Sequence, residues 1–207
     1  NLKAILGILK KYKINIVSSG GIYKEIKKLN DNCLEVSEFT NSPEILDGRV
    51  KTLHPKIHAG ILHDKQNKKH QSEMSKQNFP AIDLIVVNFY PFQRIVTNNK
   101  SPKQIIESID IGGPTMIRAA AKNFKDVVVV CNPNDYSHII SEWNENDGIS
   151  YETRKNLSQK VFALMTNYNK SISDYLKGEA DDIHTYNFSS NANLRYGENP
   201  HQNATLF

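Results

Sequence analysis

Ile82-Asp83-Leu84-Ile85-Val86-Val87-Asn88-Phe89, closed by Tyr90-Pro91, is the most hydrophobic run of the chain. Apolar residues on both faces of a strand mark one buried on both sides, as in a parallel sheet covered by helices. Upstream, Leu2, Ile5, Leu6, Leu9 and Tyr12 recur at helical spacing, and 14–17 reads as a short buried strand running into Ser18-Ser19-Gly20-Gly21. The pattern predicts a helix over 23–29 and a strand over 33–36. A segment over 41–64, rich in Pro, Gly and His, then shows little periodicity, and Pro80 ends a polar helical stretch. Downstream, a helix carrying Ile105 and Ile106 follows Pro102, and Pro114 is placed as the first residue of a helix through Lys122. A strand over 127–130 and helices over 135–144 and 151–176 complete the series. Strands alternating with helices predict an α/β domain with a parallel sheet layered with helices. The opening helix leads into a strand where such sheets ordinarily begin with a strand, so a first strand is expected to be missing.

At 207 residues, 39% hydrophobic and 23% charged, the chain has the size and composition of one globular domain with a sizeable core. A formal net charge of +4 is too small and dispersed for a nucleic-acid surface, yet it suits a phosphorylated small molecule. Cys33 and Cys131 form neither a CxxC pattern nor a disulfide framework, and are expected as free thiols in strands in a reducing compartment. No apolar run approaches the ~20 residues that span a bilayer, and no signal-peptide layout opens the chain, so no membrane association and a cytoplasmic location are expected.

Three turns following apolar runs would meet at one edge of a parallel sheet, where such folds bind ligands. The first, Ser18-Ser19-Gly20-Gly21, offers backbone N–H groups, hydroxyls and a helix N-terminus suited to phosphate. Gly-Gly after a strand is also ordinary turn chemistry. In the second, Asp47-Gly48-Arg49-Val50-Lys51-Thr52-Leu53-His54-Pro55, an arginine fork and a lysine point charge are complementary tools for holding an anion, although a solvated basic loop reads the same way. His54 and His58 have the i, i+4 spacing of a zinc helix, but Pro55 interrupts it and no HExxH glutamate intervenes, so no metal is expected. The third, Asp110-Ile111-Gly112-Gly113-Pro114-Thr115, brings backbone close to a ligand at a helix start, with Arg118 and Lys122 as i, i+4 neighbours. A lysine beside another cation yields its proton more readily, whereas a solvated helix face is the plain alternative. Asn88 and Tyr90 end the strongest strand, where polar groups would reach a pocket.

Taken together, Ser19-Gly20-Gly21, the 47–55 segment, Asn88-Phe89-Tyr90-Pro91-Phe92 and 110–123 resemble, in order and spacing, the motif series of IMP cyclohydrolase domains of the bifunctional purine-biosynthesis family. The resemblance runs over 2–176. The ending Leu194-Arg195-Tyr196-Gly197-Glu198-Asn199-Pro200-His201-Gln202 is similar to the opening of the AICAR transformylase domain. The implied organisation is a cyclohydrolase domain over 1–178, a linker over 179–193 and the incomplete start of the transformylase over 194–207. The resemblance implies a methylglyoxal-synthase-like α/β fold, a homodimer when intact, and dehydrative closure of 5-formamidoimidazole-4-carboxamide ribotide to IMP. It implies no metal or organic cofactor for that step, 10-formyltetrahydrofolate serving only the transformylase. By position, Lys122 resembles the proton donor or acceptor, with Asp110 and Tyr90 as its partners, and Lys51 the group stabilising charge on the formyl oxygen. Ser19, Gly20, Gly21, Arg49, Thr52, Asn88, Ile111 and Gly112 match nucleotide-binding positions. The family's opening strand and Ser-x-Ser-Asp-Lys segment have no counterpart before Asn1, and Ile22 stands where threonine is common. If that piece is truly absent, the expectation is weak or no turnover. The rival class is a non-catalytic nucleotide-binding module of the same fold, which would need phosphate contacts but not the set Lys51, Tyr90, Asp110 and Lys122.

Overall fold

Ile5, Leu6, Ile8 and Leu9 face inward from α1 (Leu2–Lys11), whose last turn carries Lys10 and Lys11 where cations suit the helix dipole. The computed structural model describes residues 2–29, 32–89, 92–98 and 100–177, with the backbone of 192–194 and 204–206. After α1 the chain enters β1 (Val17–Ser18), α2 (Gly20–Lys28) and β2 (Leu34–Glu35). β1 and β2 pair in parallel, Val17 opposite Leu34. Both strands are shorter than the apolar runs predict. The second is cut off because α3 (Val36–Thr40) begins at once, the Glu35 N–H donating to the Glu38 carboxylate at 3.4 Å.

The stretch expected to be irregular contains α4 (Pro55–Leu62). Pro55 opens it, and His54 Nδ1 accepts from the Lys56 N–H at 3.1 Å. Histidine is not among the usual capping residues, so the helix start is hidden in the sequence. α5 (Lys68–Lys76) is capped by the Asn67 side chain, and β3 (Leu84–Val86) follows.

The long hydrophobic run is not a strand buried on both sides. β3 is three residues, with Ile85 buried and Val86 36% exposed. It pairs in parallel with β4 (Val128–Val130), which is buried at every position. Among the described residues β4 is the one strand that pairs with β3.

Between these strands lie α6 (Phe92–Thr97), α7 (Pro102–Glu107) and α8 (Gly112–Lys122). Phe92 anchors α6, its ring edge-on to Tyr168 and Tyr175. α7 starts on a capping box in which Ser101 and Gln104 exchange hydrogen bonds. α8 starts two residues before Pro114, contrary to the sequence reading. Its first intrahelical bond is from Thr115 N to Ile111 O at 3.1 Å, so Pro114 occupies a first-turn position whose missing N–H costs nothing.

α9 (Tyr136–Asn146) and α10 (Tyr151–Leu176) cover the core, α10 inserting Leu157, Val161, Met165 and Tyr168. These pack with Ile61, Ile117, Ile139 and the buried valines of β4. Cys33 and Cys131 are free thiols, each one residue outside a strand. The result is an α/β fold of short parallel pairs layered with helices.

The chain divides into two compact units, Asn1–Tyr175 and Leu176–Phe207. The second holds β5 (Ala192–Leu194) and β6 (Ala204–Leu206), paired antiparallel. Of the expected linker over 179–193, only Ala192 and Asn193 are among the described residues, and they lie in β5.

Candidate active site

The first two turns meet at Lys51. Its Nζ lies 3.7 Å from where a Gly20 Cβ would stand and 3.4 Å from the same point on Gly48. The second and third turns meet at Thr52, which is 9% exposed. A Cβ on Gly112 would fall onto Thr52 Oγ1, so the chain can come this close only at glycine. Gly113 is equally constrained, by the Asp110 carboxylate and by Val87 Cγ1 at 3.2 Å. Gly20, Lys51, Thr52, Gly112 and Asp110 thus share one end of α8. Ser19 caps α2 by position without a side-chain bond, Gly21 follows on the surface, and Ile111 is the exposed residue preceding α8.

Each charged group here has a defined hold. Glu44 Oε1 sits 3.4 Å from Lys51 Nζ, in space that a side chain at Gly48 would fill. Arg49 forms a fork with Glu107, Nε donating to Oε1 at 3.0 Å and Nη2 to Oε2. That hydrogen-bonded carboxylate pushes the arginine further up from its ordinary value. Asp110 is held twice: its N–H donates to Tyr168 Oη at 2.9 Å, and its Oδ1 accepts from Gly113 N at 3.1 Å. Burial raises the Tyr168 phenol. Under Thr52, burial lowers the His58 imidazole against a smaller upward pull from the Thr52 backbone, and His58 Nε2 is buried without a partner. Among the described residues no His, Cys, Asp or Glu cluster has the arrangement of a metal site.

Two other predicted residues lie just after β3 and at the far end of α8. Asn88 donates from Nδ2 to Tyr136 Oη at 2.8 Å. Lys122 is exposed in the last turn of α8, roughly 15 Å from Gly112 at the helical rise per residue. Asp110 and Lys122 are therefore not hydrogen-bonded neighbours within one chain. The Arg118 guanidinium lies over the Phe162 ring at 5.9 Å. Tyr90 lies outside the described residues.

Sequence reasoning missed Glu44, Glu107 and Tyr168. The two acids had one legible cue, a pair of cations needing counter-charges in a chain of small net charge. Tyr168 had none, because 58 residues separate it from Asp110.

Residues 2–115, more than half the chain, match the MGS-like domain. The chain belongs to that family. Residues 120–207 match the AICARFT/IMPCHase bienzyme. The bifunctional purine biosynthesis protein PurH of Clostridium perfringens (strain SM101 / Type A) is 48% identical over 197 residues, 94% of this chain and 39% of that protein. PurH of Clostridium botulinum (strain Langeland / NCTC 10281 / Type F) is 48% identical over 195 residues, with the same shares. The MGS-like chain thus spans about 39% of the length of these relatives. The crystal structure of ForH matches with a TM-score of 0.75 at 26% identity, covering 85% of this chain and 93% of that one. No helix among the described residues is long and apolar enough to cross a membrane.

Proposed function

We propose that this MGS-like chain carries an IMP cyclohydrolase activity, closing 5-formamidoimidazole-4-carboxamide ribotide to IMP with release of water. The observation that carries the reading is the convergence of Gly20, Lys51, Thr52 and Gly112 at the start of α8, supported by similarity to the PurH proteins.

The chemistry demands what this end of α8 offers. A carboxamide nitrogen attacks the formyl carbon and sheds one proton, the formamide nitrogen gives up a second as its C=N bond forms, and the former carbonyl oxygen takes up both and leaves as water. Lys51 stabilises the charge that grows on that oxygen, a preorganised cation serving better than solvent. Asp110, fixed by Gly113 N and Tyr168, is oriented to exchange a proton. Ser19, Gly20, Gly21, Arg49, Thr52, Asn88, Ile111 and Gly112 bind the nucleotide. The proton-transfer roles of Lys122 and Tyr90 rest on the family resemblance. The partner is a purine ribonucleotide, the intact protein is a cytoplasmic homodimer, and the step uses no metal or organic cofactor. A wider organisation with a linker before a transformylase segment at 194–207 belongs to the same proposal.

Purified protein carrying this sequence, given the formylated ribotide, should form IMP with saturable kinetics. Absence of IMP together with retained IMP binding would leave a nucleotide-binding module instead.

A further inference from the structure

Glu107 ends α7, three residues before Asp110, and its carboxylate meets the side edge of the Arg49 guanidinium. The pair is a strap between the second and third turns of the site. A fork of two parallel hydrogen bonds has a fixed direction, unlike most exposed ion pairs. Because the fork uses Nε and Nη2, the Nη1 donors remain, and with the two side chains 64% and 53% exposed that outer edge is open to an anion.

The segment the strap holds is one that needs holding. Leu46, Asp47 and Gly48 have successive positive φ values of 53°, 53° and 85°. Left-handed backbone at leucine and aspartate is unfavourable, and such strain persists where surrounding structure fixes it. The turn's own backbone bonds are local, among them Gly48 N to Ile45 O and Arg49 N to Leu46 O, each at 3.1 Å. Glu107 supplies a tie from outside the turn.

We infer that Glu107 is a positioning residue, fastening the 46–53 turn to the α7–α8 turn through Arg49 and presenting the outer edge of that guanidinium to the phosphate of a nucleotide. The identity of the ligand rests on the proposed function; the strap does not.

The test compares parent, Glu107→Gln, Arg49→Ala and the double variant by hydrogen exchange over 46–53, IMP affinity and steady-state kinetics. Glu107→Gln should speed exchange in 46–53, weaken IMP binding about three- to tenfold, raise KM alike and leave kcat unchanged. In the Arg49→Ala background it should change affinity by less than about twofold, since both substitutions break one pair. Four results would overturn the inference: unchanged exchange, faster exchange with unchanged IMP affinity, tighter binding by Glu107→Gln, or its full loss persisting without Arg49. If the parent neither closes the ring nor binds IMP, the proposed function fails, while the exchange comparison still decides the strap.

Discussion

The two ends of α8 are built differently. At its start, Gly112 and Gly113 admit Thr52 and the Asp110 carboxylate to contact distance, and Lys51 stands close by between Gly20 and Gly48. At its finish, Lys122 is exposed, and Asn123 Nδ2 ties the helix to the Ile61 and His63 carbonyls. One end gathers three separate turns at contact distance, whereas the other is fastened to its neighbour helix with its lysine exposed. Residues contiguous in a motif need not be contiguous in space when a helix carries the motif.

Large losses of turnover should come at both ends, first at the crowded one. Lys51→Ala should slow ring closure about a hundredfold or more, as loss of a preorganised charge does in comparable sites. A decrease below about threefold would remove Lys51 from the chemistry. Next comes Gly112→Ala, whose methyl meets Thr52 Oγ1. It should cost about 1–3 kcal/mol by urea denaturation and weaken IMP binding, while Arg118→Ala toward the far end leaves affinity unchanged. Equal affinity in Gly112→Ala and the parent would mean that the Thr52 contact does not shape the ligand site.

Lys122→Ala sharpens the contrast from the other side. It should leave IMP affinity within about twofold while abolishing ring closure, the outcome expected of a proton carrier outside the binding contacts. Unchanged turnover would end its catalytic assignment, and lost affinity would place it among the ligand contacts.

The smallest effect is a pH dependence. The His58 imidazole is held below its ordinary value by burial, so the folded state prefers it neutral. Its contribution to stability is whole above the unfolded value of 6.5 and is lost as pH falls below it. Urea midpoints should therefore decline from about pH 7 to 5, and His58→Asn should flatten that decline. A further loss belongs at lower pH. Burial would raise the Glu142 carboxyl, but hydrogen bonds from Ser150 and Thr153 hold it below its ordinary value, and this contribution disappears as it protonates. An unaltered decline in His58→Asn would exclude His58 as its source.

Much of this layout is legible in the residue order. α10 follows its predicted bounds because the apolar positions repeat at helical spacing, and α7 is announced by Ser101, Pro102 and Gln104. The glycine-bearing turns are legible for a related reason, since Gly20 and Gly112 stand where strand or loop gives way to helix. α4 was hidden by a histidine cap, and β3 is shorter than the apolar run because only Leu84 to Val86 pair with β4. The site's holding groups were the least legible. Glu107 and Tyr168 act across 58 residues each, on Arg49 and Asp110 respectively, and no local pattern encodes a pairing at that separation.

The role of Lys51 in ring closure is tested by IMP formation from 5-formamidoimidazole-4-carboxamide ribotide by purified protein carrying this sequence, run beside Lys51→Ala. Saturable IMP formation is expected in the parent and its loss, with IMP binding retained, in the variant. No IMP from the parent, or equal rates from the two proteins, would contradict it.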